Sequence, residues 1–142
     1  MFLQDMLNLG QYQPPYETHN FLAAFNCAEL VIPDTLTSVG LAYNSCKIII
    51  PVGISWSNGG SDTQSTLVFE KGWVDLSQFS DKIYQNNTTL DIPSTVTTIP
   101  SDFLASMPGY KVTINIHKAK DSITGYPWGA TESDITVNWL GE

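Results

Sequence analysis

The sequence predicts a β-rich solenoid of about four to five coils, with short helices or turns between its strands. The main observation is an internal repeat: residues 24–33 read AFNCAELVIP, and residues 42–51 read AYNSCKIIIP. The prolines that end these two stretches, Pro33 and Pro51, are separated by a step in the high teens. A fixed period of this size is typical of solenoids, because each unit buries its apolar side only by stacking on the next unit.

The period continues along the chain in longer and less regular steps. Glu70 takes the place of the proline in the unit after Pro51, and Pro93 follows Glu70 by a step in the low twenties. A final strand is expected at 135–140, with alternate apolar residues on one face. The other recurring strands are predicted near 30–32, 48–50, 66–69, 89–92 and 112–116.

Weaker local patterns predict the remaining elements. Apolar spacing over residues 2–9 predicts a short N-terminal helix that ends at Gly10. A helical turn is expected within 76–83, and a short strand within 73–76. Ser101 could cap a helix over 102–107. We therefore divide the chain into residues 1–20, an N-terminal helix and extended spacer, and residues 21–142, a solenoid with a C-terminal strand cap from about 118 to 142.

Two stretches resemble a known family. Residues 33–40 (PDTLTSVG) and 93–100 (PSTVTTIP) resemble the Ile-Pro-x-x-Val-Thr-x-Ile-Gly segment of BspA-like bacterial leucine-rich repeats, which precedes an Ala-Phe-x-x-Cys-x-x-Leu step. The resemblance implies a leucine-rich-repeat-like solenoid with a role in adhesion or protein binding. It covers residues 21–51 best, whereas 52–87 departs from the family pattern. The residues that match are Phe25, Tyr43 and Phe103 at the aromatic step, and Cys27 and Cys46 at the cysteine.

The two cysteines allow two interpretations. Cys27 and Cys46 would lie on neighbouring coils, close enough in principle for a disulfide. Alternatively they are buried free thiols in a structural ladder, which is the arrangement that the resemblance implies. His19 and His117 are the only histidines and lie far apart in sequence, so no metal site is predicted.

The C-terminal stretch carries a second resemblance. Residues 121–130 (DSITGYPWGA), followed by 135–139 (ITVNW), resemble an ending found on repeat proteins of phages and prophages of Gram-positive bacteria. Such endings often close tail or other virion-associated chains. The resemblance therefore implies a phage virion protein.

The charge balance excludes several kinds of partner. The chain has six lysines, no arginine and 14 acidic residues, giving a net charge of −8. Nucleic-acid binding requires a basic surface, and anionic membranes are disfavoured for the same reason. A neutral or cationic partner fits better, and a neutral glycan is one such partner. No signal peptide, transmembrane run or membrane insertion is predicted.

Catalysis has little support in the sequence. Asp91 with Asp102, or Asp62 with Asp75, could form a carboxylate pair for sugar hydrolysis, but most acidic residues of a small fold are solvated. There is no nucleophile elbow and no phosphate-binding loop. Residues 58–62 could offer oxygen ligands to calcium, although their spacing misses the EF-hand pattern. We expect a protein that is not an enzyme, with no catalytic residue, cofactor or metal.

The aromatic residues near turns are the best candidates for ligand binding, because exposed rings stack on sugars. The alternative is that they fill the core or cap the ends of the solenoid, as expected of Trp128 and Trp139. The candidate ligand-binding residues are Trp56, Trp73, Tyr84, Tyr110 and Tyr126.

Two functional hypotheses follow. The first is a phage tail or appendage protein that recognises a host cell-wall glycan or surface protein, located in the virion. The second is a structural virion component, in which Leu3, Met6 and Leu7 anchor the chain to other virion proteins or to copies of itself, with a homo-oligomer as one outcome. A further alternative is a secreted bacterial adhesin, located at the bacterial cell surface or outside the cell.

Overall fold

The computed structural model of the chain describes residues 20–25, 29–32, 38–43, 47–58, 66–80, 87–105 and 109–141. These residues form nine strands in two sheets, and all strand pairs are parallel. The strands are β1 (Asn20–Phe25), β2 (Glu29–Val31), β3 (Ser38–Tyr43), β4 (Lys47–Ile50), β5 (Ser55–Asn58), β6 (Thr66–Phe69), β7 (Thr88–Ile92), β8 (Val112–Ile116) and β9 (Ile135–Trp139).

The larger sheet contains six strands in the order β2-β4-β6-β7-β8-β9. One set of aligned residues runs through all of them: Leu30, Ile48, Leu67, Leu90, Ile114 and Val137. The first two steps of this set are in the high teens and the later ones in the low twenties, as the proline spacing predicts. Each strand predicted from the repeat, and the final strand predicted at 135–140, is present. The predicted β-rich solenoid is therefore confirmed, because each pass of the chain adds one parallel strand to the same sheet.

The smaller sheet has the order β1-β3-β5 and lies in the first coils. The sequence analysis assigned no strand to it, because residues such as Gly40, Ser55 and Ser57 have low strand propensity. Beyond β5, the predicted strand at 73–76 is reduced to two isolated parallel bridges, Lys71 with Trp73 and Asp75 with Thr98. The described returns of the later coils are thus turns rather than strands.

The core lies beneath the larger sheet and is filled by alternate strand residues. Leu67, Leu90 and Ile114 are aligned across neighbouring strands, and each is fully buried. Burial of such a side chain stabilises the fold by roughly 1.5–3 kcal/mol. Phe69 and Phe79 meet edge to face beneath these strands, with ring centroids 4.9 Å apart. Stacking of identical inward positions gives a continuous core along the solenoid.

The described part of the segment from 102 to 107 forms turns, so the predicted helix there is wrong. The Phe103 and Ala105 amides donate to carbonyls three residues earlier, those of Pro100 and Asp102, at 3.1 Å. The Leu104 amide donates instead to the distant carbonyl of Trp128 at 2.9 Å. This long-range bond replaces a helical one. The helical turn expected within 76–83 is present as the 3₁₀ helix Ser77–Phe79.

The loop that precedes β9 closes this end of the core around Trp128, which is fully buried. The Trp128 Nε1 donates to the carbonyl of Thr124 at 2.8 Å. Gly129 has φ +87°, and a Cβ there would lie 3.0 Å from the Ala105 amide nitrogen. The unusual Pro-Trp-Gly sequence is thus explained by packing, since the indole fills the core and the glycine allows close backbone approach.

The predicted N-terminal helix, like the rest of residues 1–19, lies outside the described residues. Among the residues that are described, no helix is long and apolar enough to cross a membrane.

Candidate functional site

The ligand-binding candidates whose side chains the structure describes, Trp73, Tyr110 and Tyr126, lie in different surroundings. Trp73 is a core residue with 5% exposure, and its Nε1 donates to the carbonyl of Ile50 at 3.0 Å. That position leaves its ring no open face for a sugar, so the structure removes Trp73 from the candidates. Tyr110 is partly buried against the core, whereas Tyr126 is 48% exposed. The Trp56 backbone belongs to β5, and its side chain lies outside the described residues.

Several other predicted residues also lie outside the part of the chain that the structure describes. They are Tyr84, the assembly residues Leu3, Met6 and Leu7, the ladder residues Cys27 and Cys46, and Asp62.

The solvent face of the larger sheet carries two rows of aligned side chains. The threonine row consists of Thr66, Thr89, Thr113 and Thr136, one on each of four successive strands. Strand spacing sets the distance between neighbours in a row at about 4.8 Å. Because alternate residues share a face, a second row lies two residues further along each strand. This second row, called here the amide row, consists of Asp91, Asn115 and Asn138 on β7 to β9, and the aligned position of β6 holds the apolar Val68.

Hydrogen bonds fix the amide row and its border. The Asn138 Nδ2 donates to the Asn115 Oδ1 at 2.9 Å, between β9 and β8. The Asp91 Oδ1 lies 2.8 Å from the Nε2 of His117, which follows β8. Amides and carboxylates held in this way keep their remaining donors and acceptors in fixed directions. The row is thus a pre-ordered polar surface with rigid strands beneath it.

Two polar pairs border this face. The His117 and Asp91 side chains, 45% and 31% exposed, form a hydrogen-bonded pair. At the other end of the sheet, the Lys47 Nζ lies 3.3 Å from the Glu29 Oε2. Exposed ion pairs such as that of Lys47 with Glu29 add little stability. The described side chains of the two rows thus offer hydroxyls, amides and one carboxylate.

Of the carboxylates considered for sugar hydrolysis, the structure describes Asp75, Asp91 and Asp102. Asp75 accepts hydrogen bonds from the side chain and backbone of Ser77, which lower the pKa of its carboxyl below the usual value. A general acid needs the opposite change, because it must hold a proton near neutral pH. Asp102 lies exposed on the turn segment, and Asp91 is engaged with His117. No metal-binding cluster occurs among the described residues.

A cleft of about 310 Å³ lies at the β9 end of the solenoid. Tyr126 stands at its border, and its ring meets the buried Trp128 ring edge to face, with centroids 5.7 Å apart. The residues that line the cleft are Lys120, Asp121, Ile123, Tyr126, Val137 and Trp139. The cleft and the two rows are separate surfaces, because the rows point outward and Val137 and Trp139 occupy inward positions of β9.

The fold places the chain in the class of short parallel β-solenoids. Comparisons with protein families, with curated proteins and with solved structures find no match for it.

The sequence analysis did not identify the two rows, although the sequence contains their pattern. The strands β6 to β9 include TLVF, TLDI, TINI and TVNW, each with threonine first and apolar residues second and fourth. The repeat was defined by the prolines at the ends of the strands, and the alternation within the strands was not compared. An alignment of the four segments by threonine would have predicted both rows and their solvent-facing side.

Proposed function

We propose that this chain is a non-enzymatic recognition module of a phage tail or other virion appendage, which binds a neutral host cell-wall glycan. The observation that carries the proposal is the solvent face of β6 to β9. The threonine row and the amide row there present hydroxyl and amide groups at regular spacing on rigid strands.

The chemistry of the face favours a glycan over a charged ligand. Sugar hydroxyls both donate and accept hydrogen bonds, as do threonine hydroxyls and asparagine amides. The net charge of −8 repels anions, and the Lys47 ammonium is already paired with Glu29 at one end of the sheet. Four strands span three spacings, about 14 Å in total, so the face suits a ligand several sugars long.

The virion setting rests on the resemblance of residues 121–130 to endings of phage proteins. A secreted bacterial adhesin would use the same face, and a structural virion component would not need it. Immunogold labelling of phage particles and cells of the source strain distinguishes these settings. Label on particles supports the virion protein, and label confined to cell walls favours the adhesin.

Glycan binding is tested with the full chain on an array of neutral oligosaccharides, followed by titration of the best ligand. The double variant Thr113→Val, Thr136→Val removes two hydroxyls and keeps the β-branched shape that suits a strand. Each lost hydrogen bond contributes about 0.5–1.5 kcal/mol, so we expect affinity to fall by about tenfold.

The matched control is Thr98→Val, an exposed threonine outside the larger sheet. It should leave glycan affinity unchanged. Equal losses in the control and the double variant, or no binding to any neutral glycan, would contradict the proposed face.

A further inference from the structure

The strand β9 forms an edge of the larger sheet, with β8 as its neighbour on one side. The Leu140 amide donates to the Ile116 carbonyl, so the backbone groups of Leu140 point toward β8. Backbone groups of successive strand residues point to opposite sides. The N–H and C=O groups of Trp139, and those of Val137 two residues earlier, therefore point to the free edge. Such unpaired groups are a template for another strand.

The side chains of the same two residues are only partly buried. Val137 and Trp139 are aligned with Ile114 and Ile116 of β8, which are both fully buried. These inward positions are covered in the inner coils by the strand on either side. Among the described strands, none covers β9 on its other side, and the cleft of about 310 Å³ lies there. The cleft is thus where the inward side chains of one more strand would pack.

We propose that this edge and cleft bind an extended segment of another polypeptide, which adds to the sheet as a strand parallel to β9. Apolar residues at alternate positions of the segment would enter the cleft against Val137, Trp139 and Tyr126. Main-chain hydrogen bonds to the edge would supply affinity, and the cleft would supply specificity.

Charge selects among the segments that could fit. The chain carries a net charge of −8, which repels a second copy and attracts a basic segment. Lys120 and Asp121 line the cleft together and nearly cancel each other there. The partner is therefore a basic strand with apolar residues at alternate positions. This inference does not depend on the glycan proposal, because it uses a different surface.

The chain itself supplies a probe of this chemistry. Residues 111–118 read KVTINIHK, with apolar residues at alternate positions and a lysine at each end. Its central part, β8, already pairs in parallel with β9 on the opposite side. A synthetic peptide of this sequence is titrated into the full chain by NMR. We expect saturable shifts of the Val137 and Trp139 amides, and no shifts on the inner strands β6 and β7.

Two controls test the mode of binding. A peptide of the same composition with its apolar residues grouped together should bind at least about tenfold more weakly, because its side chains no longer alternate. The Trp139→Ala variant should weaken the binding of the KVTINIHK peptide by about tenfold, since buried aromatic anchors dominate such interfaces. The Val74→Ala variant removes an exposed apolar side chain elsewhere and should leave binding unchanged.

Three results would overturn the inference. They are no saturable binding of the KVTINIHK peptide, equal binding of the regrouped peptide, and shifts that avoid β9. Concentration-dependent self-association by light scattering that is abolished by Trp139→Ala would also overturn it, since a second copy would then be the occupant. The threonine variants test glycan binding on a different surface, so either proposal can fail while the other holds.

Discussion

At the scale of single residues, the loop that precedes β9 and encloses Trp128 requires glycine at one position. Gly129 has φ +87°, and its Cα lies so near another segment that a Cβ would approach the Ala105 amide nitrogen to 3.0 Å. Gly53 has a similar φ of +81°, with open space around it. The two positions share the conformational requirement for glycine and differ in the space available.

This comparison predicts different effects of the same substitution. Gly53→Ala should lower the free energy of unfolding by about 1–2 kcal/mol, the cost of a left-handed conformation. Gly129→Ala should lower it by about 1–3 kcal/mol more, because the backbone near Ala105 must shift. Urea unfolding of both variants measures the difference. Equal destabilisation would show that close approach does not limit this loop.

The same loop shows what the sequence could reveal at this scale. The rarity of Pro127-Trp128-Gly129 indicated a special segment, and the alternatives for Trp128 included a cap role. Which aromatics are buried depends on contacts between distant segments, such as the bond from the Leu104 amide to the Trp128 carbonyl. Trp73 was misplaced for the same reason, since its partner Ile50 belongs to the preceding coil.

At the scale of elements, a strand residue is stabilised by the strands on both sides of it. Ile114 is fully buried in β8, between β7 and β9, whereas Val137 is partly buried at the edge. The two aligned side chains therefore point to the same face of the sheet and differ in the number of neighbouring strands.

We expect Ile114→Ala to lower the free energy of unfolding by about 2–5 kcal/mol, because the truncated side chain leaves a cavity. Val137→Ala should lower it by less than about 1 kcal/mol, because Val137 is only partly buried and its truncation removes less buried apolar area. Thermal and urea unfolding check both values. A larger loss for Val137 would mean that the edge is covered in solution.

Elements of the larger sheet were predictable because the repeat gives each strand several independent copies of one pattern. Proline spacing placed β2, β4, β6 and β7 close to their observed bounds. The smaller sheet was not predictable, since strands such as β5 (SWSN) contain polar residues of low strand propensity and pair only through tertiary context. The turns at 101–105 resemble a helix start in sequence, and long-range bonding decided against it.

At the scale of the whole molecule, the parallel stack behaves as a nearly one-dimensional array, in which each coil contacts mainly its neighbours. Stability should then vary along the stack rather than be uniform. The described strands β6, β7 and β8 have neighbours on both sides, and β9 has β8 alone.

Amide hydrogen exchange should follow this order. We expect the slowest exchange in β7 and β8 and faster exchange in β9, with the Val137 and Trp139 amides many times faster than the Asn138 amide that faces β8. NMR exchange measurements on the full chain resolve these residues. Uniform protection across β9 would contradict a free edge.

The candidate surfaces were only partly predictable at this scale. The repeat predicted a coil face, and the neutral or cationic partner expected from the net charge of −8 stays a prediction. Which rows face outward required the register, because a shift of one residue moves every side chain to the other face. The cleft could not be predicted, because it forms only where the stack of strands ends. No local sequence pattern in residues 120–126 indicates it.

The unequal steps between aligned positions, from the high teens to the low twenties, have a consequence for how this protein can vary. Each added residue lengthens a return and leaves the spacing of the outward rows unchanged, since hydrogen bonds between strands fix that spacing. We therefore expect insertions and deletions in the returns to be tolerated independently of the threonine row and the amide row. The length of each return can change while the spacing of the outward side chains stays constant.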